Sequence, residues 1–97
     1  MTHAEIVARL IEARVPRQTA CLYTDAFLEY QEAIANIRKN GTIVAHPRTH
    51  NPIENPYLTL RDRARKTLLE FRLKAADFLW QLPPETFATP PEAQPTT

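Results

Sequence analysis

Two amphipathic stretches dominate this sequence, residues 17–39 and 56–82, held apart by Asn40-Gly41 on one side and Asn55-Pro56 on the other. In the first, Tyr23, Ala26, Phe27, Tyr30, Ala33, Ile34 and Ile37 recur at spacings of three and four, which places them on one helix face. Arg38 and Lys39 fall in the last turn, where cations suit the helix dipole. Gly41 then stops the helix, because glycine adopts the left-handed C-terminal conformation without a steric penalty. Asn55-Pro56 opens the second stretch, with asparagine as cap and proline at the first helical position. The pattern predicts that this helix continues to about Leu82, roughly 39 Å at ~1.5 Å per residue. One of its faces carries Tyr57, Leu60, Ala64, Leu68, Phe71, Ala75 and Phe78. A second stripe, on roughly the opposite side, carries Leu58, Leu69, Leu73, Ala76 and Trp80. Pro83-Pro84 ends it.

A shorter helix precedes these, over about 3–14. Thr2 and Glu5 have capping-box spacing, Ile6, Val7, Leu10 and Ala13 share a face, and Val15-Pro16 closes it. Residues 41–55 read as a connection. Thr42-Ile43-Val44-Ala45 suggests a short strand, one arm of a small hairpin closing near Ile53, and Pro47 and Pro52 restrict pairing to an edge. The fold class expected is all-α: a short N-terminal helix plus a long antiparallel helical hairpin with an irregular or short β connection, assembled as an oligomer. Residues 1–82 form the expected helical domain. Residues 83–97, which hold five of the nine prolines, are expected to be a disordered tail.

Oligomerisation is expected because a helix apolar on two sides needs partners on two sides. The short first helix is expected to cover only part of the second stripe, and a chain of 97 residues gains from extra burial. The alternative is that this helix covers Leu69, Leu73 and Trp80 completely, giving a monomeric three-helix bundle. The interface residues expected are Leu58, Leu69, Leu73, Ala76 and Trp80.

The formal net charge is only +1, but it is polarised along the chain. Three arginines face five carboxylates in residues 1–37, nine cations face three carboxylates in 38–74, and 75–97 hold three carboxylates and no cation. Folding the hairpin gathers Arg38, Lys39, Arg48, Arg61, Arg63, Arg65 and Lys66 at the end that holds the connection. Asp77 and the acidic tail go to the other end. Such a cluster attracts phosphates through counterion release, and copies of it in an oligomer add through multivalency.

The residues expected for catalysis are missing. His46 and His50 have ligand spacing, but zinc needs four ligands and Cys21 has no companion. His50-Asn51 lacks the rest of a nuclease motif. A single glycine excludes a Gly-rich phosphate loop, and the carboxylates form no recognisable pair. No enzyme activity, cofactor or metal is expected. Tyr23, Phe27, Tyr30, Phe71 and Phe78 read as core, and Trp80 as an interface residue or a local packing one. The N-terminal Met-Thr-His-Ala-Glu is not a basic region followed by an apolar run. No apolar stretch approaches ~18 residues, so a cytoplasmic location and no membrane partner are expected.

From about Tyr23 to Phe71 the chain resembles a large family of bacteriophage terminase small subunits. The resemblance begins with the helix Tyr23-Thr24-Asp25-Ala26-Phe27-Leu28-Glu29-Tyr30. It runs through Ala33-Ile34-Ala35-Asn36-Ile37-Arg38-Lys39-Asn40-Gly41-Thr42-Ile43-Val44, then a variable turn. Asn55-Pro56-Tyr57-Leu58 follows, with a helix holding Ala64 and the paired Leu68-Leu69. Many members end this helix in a Gly-Leu-Thr-Pro-type turn, where Arg72-Leu73-Lys74-Ala75 here reads as continued helix. The resemblance implies a ring-forming, non-enzymatic protein of the host cytoplasm. It would recognise double-stranded viral DNA and deliver it to the terminase large subunit, which holds the ATPase and nuclease. It carries over no catalytic residue, and Gly41, Asn55 and Pro56 match structural positions. The alternative reading is a helical adaptor or regulator that binds another protein through Leu69, Leu73 and Trp80 and never touches DNA.

Overall fold

The computed structural model describes residues 1–87. The first helix, α1 (His3–Glu12), is capped by Thr2, whose Oγ1 accepts from the Glu5 N–H at 3.2 Å. Ile6, Val7 and Leu10 are its buried face. The helix ends two residues before the periodicity predicts. Arg14 turns to φ 68, its N–H donates to Ile11 O, and the Val15 N–H reaches back to Leu10 O at 3.0 Å. That is the Schellman arrangement, with Val15 and Leu10 both in the core.

The second helix, α2 (Arg17–Asn40), is the spine of the fold. Ala20, Tyr23, Ala26, Phe27 and Ala33 are buried along it. Thr24 is buried among them without cost, because its hydroxyl donates to Ala20 O at 2.7 Å. At the far end Gly41 takes φ 83 and its N–H donates to Ile37 O. The strands β1 (Ile43–Ala45) and β2 (Pro52–Glu54) pair antiparallel, with Val44 opposite Ile53. The hairpin expected near Ile53 is therefore present, and Pro52 lies on a free edge as required. Helix α3 (Tyr57–Phe71) then runs back along α2, with Ala64 and Leu68 buried.

The expected single helix from Pro56 to Leu82 is not formed. The chain breaks after Phe71, where Arg72 adopts the left-handed conformation, φ 51 and ψ 42, and Leu73 is extended. A 3-10 turn (Lys74–Ala76) and the short helix α4 (Asp77–Trp80) follow. No glycine or proline marks the break. Burial causes it: the fold-back brings Ala76 and Leu79 to full burial and lays Phe78 and Leu73 against the core. A buried leucine contributes about 1.5–3 kcal/mol, whereas a left-handed non-glycine residue costs about 1–2 kcal/mol, so the packing outweighs the strain.

Two expectations are corrected by this. The stripe Leu58, Leu69, Leu73, Ala76 and Trp80 is not one continuous face, and Ala76 is used up inside its own chain. The first part of the expected disordered tail is also ordered. Pro84–Phe87 forms a 3-10 turn against α2, with Pro84 buried and the Phe87 ring 5.1 Å from that of Phe27. The Met1 amino group donates to Thr86 O at 2.6 Å, which closes this segment over the start of α1. The rest of the expected tail, residues 88–97, lies outside the described residues. Among the described residues, no helix is long and apolar enough to cross a membrane.

Candidate nucleic-acid interface

The connection between α2 and α3 is organised by Asn55, which is 2% exposed. Its side-chain amide donates to Gly41 O at 2.9 Å and to Asn36 Oδ1 at 3.0 Å. Its Oδ1 accepts from the Tyr57 N–H at 3.0 Å, and its backbone N–H donates to Thr42 O. Pro56 already has helical dihedrals, so Asn55 acts as the expected cap. One side chain thus ties the end of α2, the glycine turn and the start of α3 together.

This junction carries Arg38, Lys39 and Arg48, all exposed. Arg48 sits in the turn between the strands, and His46 shapes that turn. The His46 Nδ1 accepts from the Arg48 N–H at 3.1 Å and the Thr49 N–H at 3.3 Å. The His50 N–H donates to His46 O, and His50 itself is at φ 61. Both histidines thus have roles in the turn. Among the described residues no group of three or more His, Cys, Asp or Glu side chains is placed to hold a metal.

The remaining four expected cations lie along α3 rather than at the junction. Arg61 is four residues into the helix and Lys66 nine, or ~6 and ~14 Å along its axis. At ~100° per residue, Arg63 and Arg65 flank the buried Ala64 on opposite sides, and Lys66 points away from the core. Arg61 is half-buried and pairs with Asp62 at 3.0 Å. The cations therefore form no single polar cluster. They make a band from the hairpin turn along the outside of α3, with Arg63 on the other flank. Nor is the acidic end fully segregated: the fold-back of Pro84–Phe87 brings Glu85 within 3.6 Å of Arg38.

Sequence reasoning missed Arg72 as a site residue. Arg65, Lys66 and Arg72 line one open depression with Leu69, Asp62 and Glu70. The signal was in the spacing, since residues 62, 65, 66, 69 and 72 recur at helical intervals of three and four and so share one face. A neighbouring groove is lined by Leu69, Leu73, Lys74, Asp77 and Trp80. Of the expected interface residues, Leu69 is 61% exposed, Trp80 40% exposed, Leu58 and Leu73 half-buried, and Ala76 buried.

Trp80 also packs locally. Its ring meets Phe27 and Tyr30 edge-on at 5.3 and 5.4 Å. Its indole N–H donates to the Tyr23 hydroxyl at 3.0 Å. Burial pushes the Tyr23 phenol above its usual range. The donation from Trp80 works against that shift, and the Asp77 carboxylate adds to it.

Among the described residues, the band lies beside open depressions rather than an enclosed cleft. What it offers is cationic side chains on a rigid helix and turn beside a partly apolar groove, a surface suited to holding a polyanion. Comparison with known protein families, with curated proteins and with solved structures finds no match for this chain.

Proposed function

We propose that this chain is the small subunit of a phage DNA-packaging terminase, a non-enzymatic protein that assembles into a ring. It binds double-stranded viral DNA through the basic band and delivers it to the large ATPase-nuclease subunit, working in the host cytoplasm. The observation that carries the reading is the Asn55 junction with Arg38, Lys39 and Arg48 around it, continued by Arg65, Lys66 and Arg72 along α3. The order of elements supports the resemblance: helix, Gly41, a short strand at Val44, a turn, Asn55-Pro56 and a helix. The break at Arg72-Leu73 adds support, because a turn now stands where many family members have one. Exposed Leu69 and Trp80 supply apolar surface for assembly.

These cations contact phosphate rather than base edges, since they lie on helix surfaces and in a turn and belong to no separate recognition helix. Mobility-shift titrations on several unrelated duplexes test this. Replacing Arg61, Arg65 and Lys66 by alanine weakens binding to all of them about equally. Loss confined to one duplex contradicts the phosphate role. A second reading, an adaptor that binds protein alone, is favoured by the groove around Leu69, Leu73 and Trp80. It gains the argument if the wild-type chain shifts no duplex at low salt.

A further inference from the structure

The segment Tyr57–Leu82 contains no glycine or proline, and its composition from Arg72 to Leu82 is that of a helix. The chain nevertheless bends at Arg72, which is held left-handed without the freedom that glycine has. The bend persists because Trp80 packs on α2 against Tyr23, Phe27 and Tyr30, while Ala76 and Leu79 join the core that α1 and α2 share. A second copy of the chain offers the same site. A strained two-residue link between helical segments, in front of an element that packs as a plug, is the setting in which elements exchange between copies.

We propose that Arg72-Leu73 is an exchange hinge: α3 straightens through it, and the folded unit Lys74–Phe87 docks on α1 and α2 of a second copy. The exchanged plug makes the packing it made at home, because the residues and the site are the same. Straightening removes the left-handed strain at Arg72 and adds helical hydrogen bonds across the link. Docking each plug on the next copy, rather than reciprocally, gives a head-to-tail contact of the kind that closes into rings. The inference rests on the assembly half of the proposed function and is independent of DNA.

Two substitutions lock the bend without removing any packing atom. Arg72→Gly makes the left-handed position strain-free and weakens the straight helix, disfavouring exchange roughly tenfold per copy. Lys74→Pro blocks the straight helix. It suits the bend, because Leu73 is extended, Lys74 opens the 3-10 turn, and its side chain is exposed. The experiment refolds labelled and unlabelled full-length chains together. It reads interchain nuclear Overhauser contacts from the Trp80 indole to the Tyr30 ring, with light-scattering mass on the same samples. The expected result is interchain Trp80–Tyr30 contacts in a wild-type oligomer, and loss of those contacts with a fall in mass in both locked variants. An oligomer with only intrachain contacts, unmoved by Arg72→Gly, overturns the exchange and leaves assembly through the exposed surface intact. A wild-type monomer at every concentration overturns both.

Discussion

Asn55 and Asn36 meet side chain to side chain at 3.0 Å across the end of the helical hairpin, joining the start of α3 to the last turns of α2. The same Asn55 amide holds Gly41 O, and its oxygen caps α3. Asn55→Ala removes all three bonds and leaves the part-buried acceptors Asn36 Oδ1 and Gly41 O without their donor. A lost cap costs about 1 kcal/mol and each unmade buried bond about another, so a loss of about 2–3 kcal/mol is expected. In a domain of this size that lowers Tm by roughly 10 °C or more. Thermal unfolding followed by circular dichroism checks it, with Asn51→Ala in the exposed turn as the control expected to change little.

Tyr23 sets an alkaline limit on stability. Its phenol is raised by burial, while in the unfolded chain it titrates near ~10. Below that value both states keep the proton and the group has no effect on pH dependence. Above it the unfolded state releases its proton and the folded state does not, so stability falls as pH rises toward the folded value. Tyr23→Phe is expected to flatten this fall. At neutral pH it costs about 1 kcal/mol, because the Trp80 indole N–H loses its acceptor. Urea unfolding at about pH 7 and about pH 11 reads both effects, and the deficit of the variant should be smaller at the higher pH.

Gln31 is 5% exposed, and its Oε1 has no hydrogen-bond partner among the described residues. A buried unpaired carbonyl costs about 1–3 kcal/mol. Gln31→Met keeps the length of the side chain and removes the orphan, so it is expected to raise stability by about 1 kcal/mol. Chemical denaturation gives the sign directly. A destabilised variant would mean that the amide is satisfied in solution.

Leu79 and Leu69 separate folding from assembly. Leu79 is fully buried and Leu69 is largely exposed. Leu79→Ala is expected to cost about 2–5 kcal/mol, as core truncations do. Leu69→Ser is expected to leave Tm nearly unchanged while lowering the mass measured by light scattering. Equal destabilisation by the two would contradict the burial of Leu79 by the fold-back after Arg72.

The elements with local punctuation were legible in the sequence. Thr2, Gly41 and Asn55 announce their caps through chemistry confined to a few neighbouring residues, and Val44 and Ile53 pair as their pattern implies. The stop at Arg72 was not legible, because its cause lies on another helix. The core of α1 and α2 that receives Ala76, Leu79 and Trp80 exists only after folding. The candidate interface suffered in the same way. Seven cations could be counted and their scatter around α3 follows from helical periodicity, but the pairing of Arg38 with Glu85 depends on the fold-back of Pro84–Phe87.

The central claim is that the band through Arg65, Lys66 and Arg72 binds phosphates. The most direct measurement is the slope of log affinity against log salt for a short duplex, wild type against Arg65→Ala/Lys66→Ala. Each phosphate contact contributes about −0.9 to that slope. The account predicts a steep wild-type slope that shallows by about 1–2 in the double variant, with the thermal transition unchanged. Binding that is independent of salt, or a slope identical in the two proteins, would contradict it.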